Sequence, residues 1–120
     1  KRIYLTPMQI YNLEKIKVIT PMAGFSGRMV HTRDLTIVYW EIDKDSVLPL
    51  HKHLNTQTTH VVSGKLELSI SGVTRVFNAG ELVVIDSYEP HCGKALTPCS
   101  VIDTFAPVRE DYKELSDALI

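Results

Sequence analysis

The sequence predicts an all-β protein, an antiparallel β-barrel or jelly roll with short helical segments at its two ends. From Val18 onward the chain falls into short β-rich runs broken by Gly, Pro, Asp and Asn, the texture of antiparallel strands joined by tight reversals. Gly64, Ser71-Gly72 and Asn78-Ala79-Gly80 sit where hairpin turns are needed. The runs number about eight, which suits a jelly roll.

At the start, Thr6-Pro7-Met8-Gln9 offers a capping side chain, a proline at the first helical position and a glutamine where a capping box would close. This predicts a short packing helix to about Lys15. Strands are expected at residues 17–22, 28–32, 35–42, 58–62, 65–71, 74–77, 82–86 and 101–105, with the clearest hairpin turning at Ser71-Gly72. Beyond Pro107, Tyr112, Leu115 and Leu119 recur at spacings of three and four, one apolar face of a terminal helix over residues 109–119 that closes an end of the barrel.

The 120 residues leave room for one domain, expected to span 1–120, with no repeat, low-complexity tract or linker inside it. Thirteen Lys plus Arg against fourteen Asp plus Glu give 13 − 14 = −1, so no basic field favours nucleic acid or an anionic membrane. Hydrophobic residues at 44% and charged ones at 22% are an ordinary globular mixture. Apolar runs such as Leu82-Val83-Val84-Ile85 fall far short of the roughly 20 residues that cross a bilayer. The start, from Lys1, lacks the apolar run of a secretory signal, and a cytoplasmic location is expected. Cys92 and Cys99 lack the spacing of a zinc knuckle and read as idle thiols.

Chemistry enters with the histidines. In His51-Lys52-His53 the two rings stand two apart, which in a strand points them to one face, toward one ion. Gln57 follows across a bend at Leu54-Asn55-Thr56 and offers an amide oxygen, and His91, just after Pro90, can arrive from a neighbouring strand. Three neutral imidazoles and an amide with water in open positions would make a reactive metal site. His60 has the opposite parity to Gln57 and His31 lies in another strand, so both read as satisfied or exposed.

This pattern resembles the cupins. Their first motif, Gly-x5-His-x-His-x3,4-Glu-x6-Gly, corresponds to Asp45-x5-His51-x-His53-x3-Gln57-x6-Gly64, with Asp for the leading Gly and Gln for Glu. The second is partial: Gly72-x5-Asn78-Ala79-Gly80 lacks the proline and its histidine comes later, as His91. The resemblance covers about residues 35–105 and implies the cupin-type barrel. Replacing Glu by Gln leaves a divalent ion at its full +2 charge, which favours anionic substrates, and removes one candidate internal base.

Asp103 shares a strand face with Val101 and Phe105, a face expected to be apolar and inward. A carboxyl there takes a raised pKa suited to proton transfer, unless it lies at a solvated strand end or pairs with Arg109. Arg109 can hold a carboxylate bidentately or simply open the terminal helix at the surface. The tail Asp103-Thr104-Phe105-Ala106-Pro107-Val108-Arg109-Glu110-Asp111-Tyr112, with the His-x-His-x3-Gln signature, is similar to small KdgF-like cupins of pectin degradation. That resemblance implies an isomerase-like conversion of 4,5-unsaturated monouronates from pectin or alginate into linear keto forms, with homodimerisation. His51, His53, Gln57 and His91 would hold one divalent ion, which could be Ni, Zn, Fe, Co or Mn. Asp103 would move the proton, Arg109 would clamp the sugar-acid carboxylate, and Phe105 would wall the pocket. A metal-dependent dioxygenase and a non-enzymatic sugar-binding protein are the alternatives.

Overall fold

A computed structural model of the chain describes residues 8–118. It holds β1 (Ile19–Met22), β2 (Phe25–His31), β3 (Thr36–Ile42), β4 (Val47–His51), β5 (Thr56–Ser63), β6 (Lys65–Ile70), β7 (Val73–Asn78), β8 (Leu82–Ile85), β9 (His91–Ala95), β10 (Cys99–Ala106) and α1 (Glu110–Asp117). Each pairing described is antiparallel. One sheet runs β1-β2-β3-β10-β5-β8 and the other β4-β9-β6-β7. The all-β class is as expected, but the sheets face each other as an open jelly-roll sandwich rather than closing into a hydrogen-bonded cylinder.

Period-two burial builds the interior. In β3 the inward residues are Thr36, Val38, Trp40 and Ile42, and in β10 they are Cys99, Val101, Asp103 and Phe105. Strand β5 turns Gln57, Thr59 and Val61 inward, and Leu66, Leu68, Phe77 and Ala95 face them from the other sheet. Register stacks these positions in layers across β3, β10 and β5: Thr36–Phe105–Gln57, then Val38–Asp103–Thr59, then Trp40–Val101–Val61. One end of the sandwich is therefore polar inside and the other apolar. That polarity gradient positions the site.

The expected strands are present with small boundary shifts, and β4 and β9 are additional. The hairpin at Ser71-Gly72 is a two-residue turn with φ of 48° and 82°, the left-handed pair of a type I′ turn. Asp45, which stands where the motif carries glycine, takes φ 68°, a conformation aspartate tolerates better than most residues.

The helical ends differ from expectation. Thr6 and Pro7 lie outside the described residues, and residues 8–12 form no helix. There is only a 3₁₀ turn at Leu13–Lys15, capped by the Asn12 side chain, with no residue buried to hold a longer helix. Helix α1 forms as expected, and Tyr112 packs on the core, but Leu115 is 41% exposed and Leu119 lies outside the described residues. Among the described residues no helix is long and apolar enough to cross a membrane.

Candidate metal centre

His51 and His53 meet, although not as neighbours on one strand face. Strand β4 ends at His51, and the chain then bends through Leu54 and Asn55, where the Tyr88 N–H holds the His53 carbonyl at 2.7 Å. The partner ring comes across the ladder: His51 is in register with His91, the first residue of β9, and their ring centroids lie 4.2 Å apart. His53 stands 5.0 Å from His91 and 5.6 Å from His51. One ligand nitrogen from each ring falls within 4.8 Å of the others.

Each ring has its Nδ1 against a backbone carbonyl: Pro49 at 2.8 Å for His51, Asn55 at 3.1 Å for His53 and Glu89 at 2.8 Å for His91. A carbonyl only accepts, so Nδ1 carries the proton and each Nε2 presents a bare lone pair. Metal-binding histidines are oriented in this way. His91 is 1% exposed, and its buried Nε2 has no hydrogen-bond partner, so its lone pair suits a cation. Burial holds its pKa down at about 4. His53 is also lowered, by burial first and then by the Arg109 charge. Both rings are thus neutral near pH 7. The Gln57 amide oxygen, reaching in from β5, lies 3.0 Å from His53 Nε2. The donor set fits a divalent ion.

Asp103 is buried behind this cluster. Thr59 donates to its Oδ1 at 2.7 Å and Trp40 Nε1 to its Oδ2 at 2.9 Å. Burial pushes its pKa up to about 6 in spite of those bonds. Neither a solvated strand end nor a pair with Arg109 describes it. Arg109 instead joins Asp111 bidentately, Nε to Oδ1 at 2.9 Å and Nη2 to Oδ2 at 2.7 Å. It stands at the N-cap position of α1, with no side-chain capping bond, and is not at the surface, being 8% exposed. Its guanidinium covers the Phe105 ring at 4.7 Å and the Tyr112 ring at 3.8 Å. Phe105 meets His53 edge-on at 5.6 Å. His51, Gln57, His91, Asp103, Phe105 and Arg109 line one cleft.

Sequence reasoning missed Thr59, Trp40, Asn55 and Tyr112 as members of this site. Asn55 pins the loop before α1 through Nδ2 to the Pro107 carbonyl at 2.6 Å while its own carbonyl orients His53. The parity that turned Gln57 inward also marks Thr59. His31 is satisfied by Thr36 and Ser116, as expected, and His60 stays on the outer parity of β5.

Comparisons with known proteins agree with this geometry. Over 81 residues the chain is 33% identical to the pectin degradation protein KdgF of Dickeya dadantii (strain 3937), covering 66% of this chain and 74% of that one. The structure of KdgF from Halomonas sp. superposes with a TM-score of 0.81 at 28% identity, over 87% of this chain and 99% of that one. An RmlC-like cupin from Shewanella frigidimarina NCIMB 400 gives 0.82 at 26% identity, over 88% and 96%. The cupin domain family matches residues 38–105, which takes in the three histidines, the amide and the buried acid. The chain belongs to the cupin family.

Proposed function

We propose that the protein is a metal-dependent enzyme that converts 4,5-unsaturated monouronates from pectin or alginate breakdown into linear keto forms. The observation that carries this reading is a buried carboxyl, Asp103, that shares one cleft with Arg109 and with His51, Gln57 and His91, three of the proposed ligands, burial pushing its pKa up to about 6. Similarity to the pectin degradation protein KdgF of Dickeya dadantii, and to KdgF from Halomonas sp., supports the substrate class. A divalent ion held by His51, His53, Gln57 and His91 would supply Lewis acidity toward a sugar-acid oxygen.

The chain's own residues do the rest. Thr59 and Trp40 each occupy one lone pair of the Asp103 carboxylate and leave the others to move a proton in the enol-to-ketone step. Phe105 and Tyr112 exclude water beside it. Arg109 takes the substrate carboxylate, exchanging it for Asp111. Reactant and product are isomers, so no co-reactant is needed, and alignment of the proton donor does much of the catalysis.

The test mixes purified protein with freshly prepared unsaturated uronates and follows loss of the double-bond absorbance, with and without chelator. Faster loss that chelation abolishes is the expected result. Rates equal to the protein-free control would overturn the reading, and dioxygen uptake would mark the dioxygenase alternative. The enzyme is proposed to act as a homodimer, which sedimentation of the purified chain checks.

A further inference from the structure

The geometry assigns Thr59 as a positioning residue that fixes which end of the Gln57 amide faces the metal centre. The inference rests on the metal reading above and deepens it.

Trp40 Nε1 can only donate, so Asp103 Oδ2 accepts from it. The single Thr59 hydroxyl proton goes to Asp103 Oδ1 at 2.7 Å. Thr59 Oγ1 then has only lone pairs left to offer Gln57, which meets it at 2.8 Å. The amide must therefore turn its NH₂ toward Thr59 and its oxygen toward His53. Asp103 thereby determines, through one hydroxyl, which atom of Gln57 reaches the three histidines.

The consequence on the other side is unusual. His53 gives its Nδ1 proton to the Asn55 carbonyl, so its Nε2 is bare where it meets Gln57 Oε1 at 3.0 Å. Two acceptors thus face each other with no proton between them. The reversed amide would mend this contact by donating to His53, but Thr59 would then turn its proton to Gln57 and leave Asp103 with one donor fewer. The arrangement described keeps the Asp103 bond and leaves two lone pairs converging. A separation of about 3.0 Å is also the edge between adjacent ligands at bonds of about 2.1 Å in an octahedral sphere. Thr59, which lines the cleft and bonds to Gln57 and Asp103, holds that edge open for a cation.

The test titrates metal-free protein with Co²⁺, read by visible absorption, for the unaltered chain, Thr59→Val and Thr59→Ser. Valine keeps the shape and removes the hydroxyl. Thr59→Val is expected to weaken Co²⁺ binding roughly 10- to 100-fold and to change the absorption bands, and Thr59→Ser to restore both. Affinity and bands in Thr59→Val equal to those of the unaltered chain would overturn the inference. Should Thr59→Val fail to fold by circular dichroism, Thr59→Ala takes its place in the same comparison. Failure of the unaltered chain to bind Co²⁺ would instead overturn the metal reading beneath it.

Discussion

At the scale of single residues, Asp103 is the group whose replacement acts on both the Gln57 amide and the proton transfer. Asp103→Asn must keep its oxygen toward the donor-only Trp40 and turn its NH₂ toward Thr59, so the Gln57 amide reverses and Co²⁺ affinity should fall as in Thr59→Val. Turnover falls about 10²- to 10⁴-fold, the usual worth of a positioned proton carrier. Its pH signature in metal-free protein has a defined sign. With a folded pKa of about 6 against an ordinary 3.8, the folded wild type binds more protons than the unfolded chain between those values. Its stability falls as pH rises through that window. His91 moves stability the other way, with a folded pKa of about 4 against 6.5, but it is present in both proteins and cancels in the comparison. Thermal melts should show Asp103→Asn gaining on wild type from pH 4 to pH 6 and level above; a difference independent of pH would contradict the buried carboxyl. Strand parity placed Asp103 inward from sequence alone. Its donors could not be foreseen in the same way, because Trp40 and Thr59 lie 63 and 44 residues away and meet it only through the β3-β10-β5 register.

At the scale of elements, the first turn of α1 holds a second test. Asp111 fills the Arg109 fork from an exposed position, its side chain 62% accessible. Asp111→Asn frees that fork for a substrate carboxylate, and KM for the uronate should drop several-fold with kcat little changed. An unchanged KM would show that Arg109 does not bind the carboxylate. The turn between β5 and β6 supplies a third. Gly64 has φ 89°, and a Cβ there would lie 2.2 Å from the Pro98 carbonyl oxygen. Gly64→Ala should cost about 2–4 kcal/mol in urea unfolding. Hairpin glycines and β-branched runs made most strands readable from the sequence. Strands β4 and β9 were not, for physical reasons. Pro49 interrupts β4, which survives as an edge strand with a register shift between Leu48 and His51. Strand β9 has Gly93 at its centre because Leu68 packs against it, and a Cβ would sit 2.6 Å from Leu68 Cδ2. Both strands exist because of what they pack on, and they carry His51 and His91.

At the scale of the whole molecule, the proposed ligands join the two sheets. His51 and His91 belong to the four-stranded sheet and Gln57 to the six-stranded one. An ion bound by all of them stabilises the fold by mass action, about 2.7 kcal/mol at a hundred times its dissociation constant. For a chain of this size the melting temperature should rise on the order of 10 °C. Differential scanning calorimetry with and without chelator checks it, and His91→Ala should abolish the shift. The jelly-roll layering was readable in advance, whereas the open edges and the polar end of the interior emerged only once both sheets were paired. Alternation along β9 has one last use. Cys92, next to His91 in the chain, turns to the outer side of its sheet beside Ser69 and is partly accessible, while Cys99 is 2% exposed. A maleimide dye would attach at that one thiol, giving a fluorescent reporter a single residue from the centre yet outside the reaction chamber.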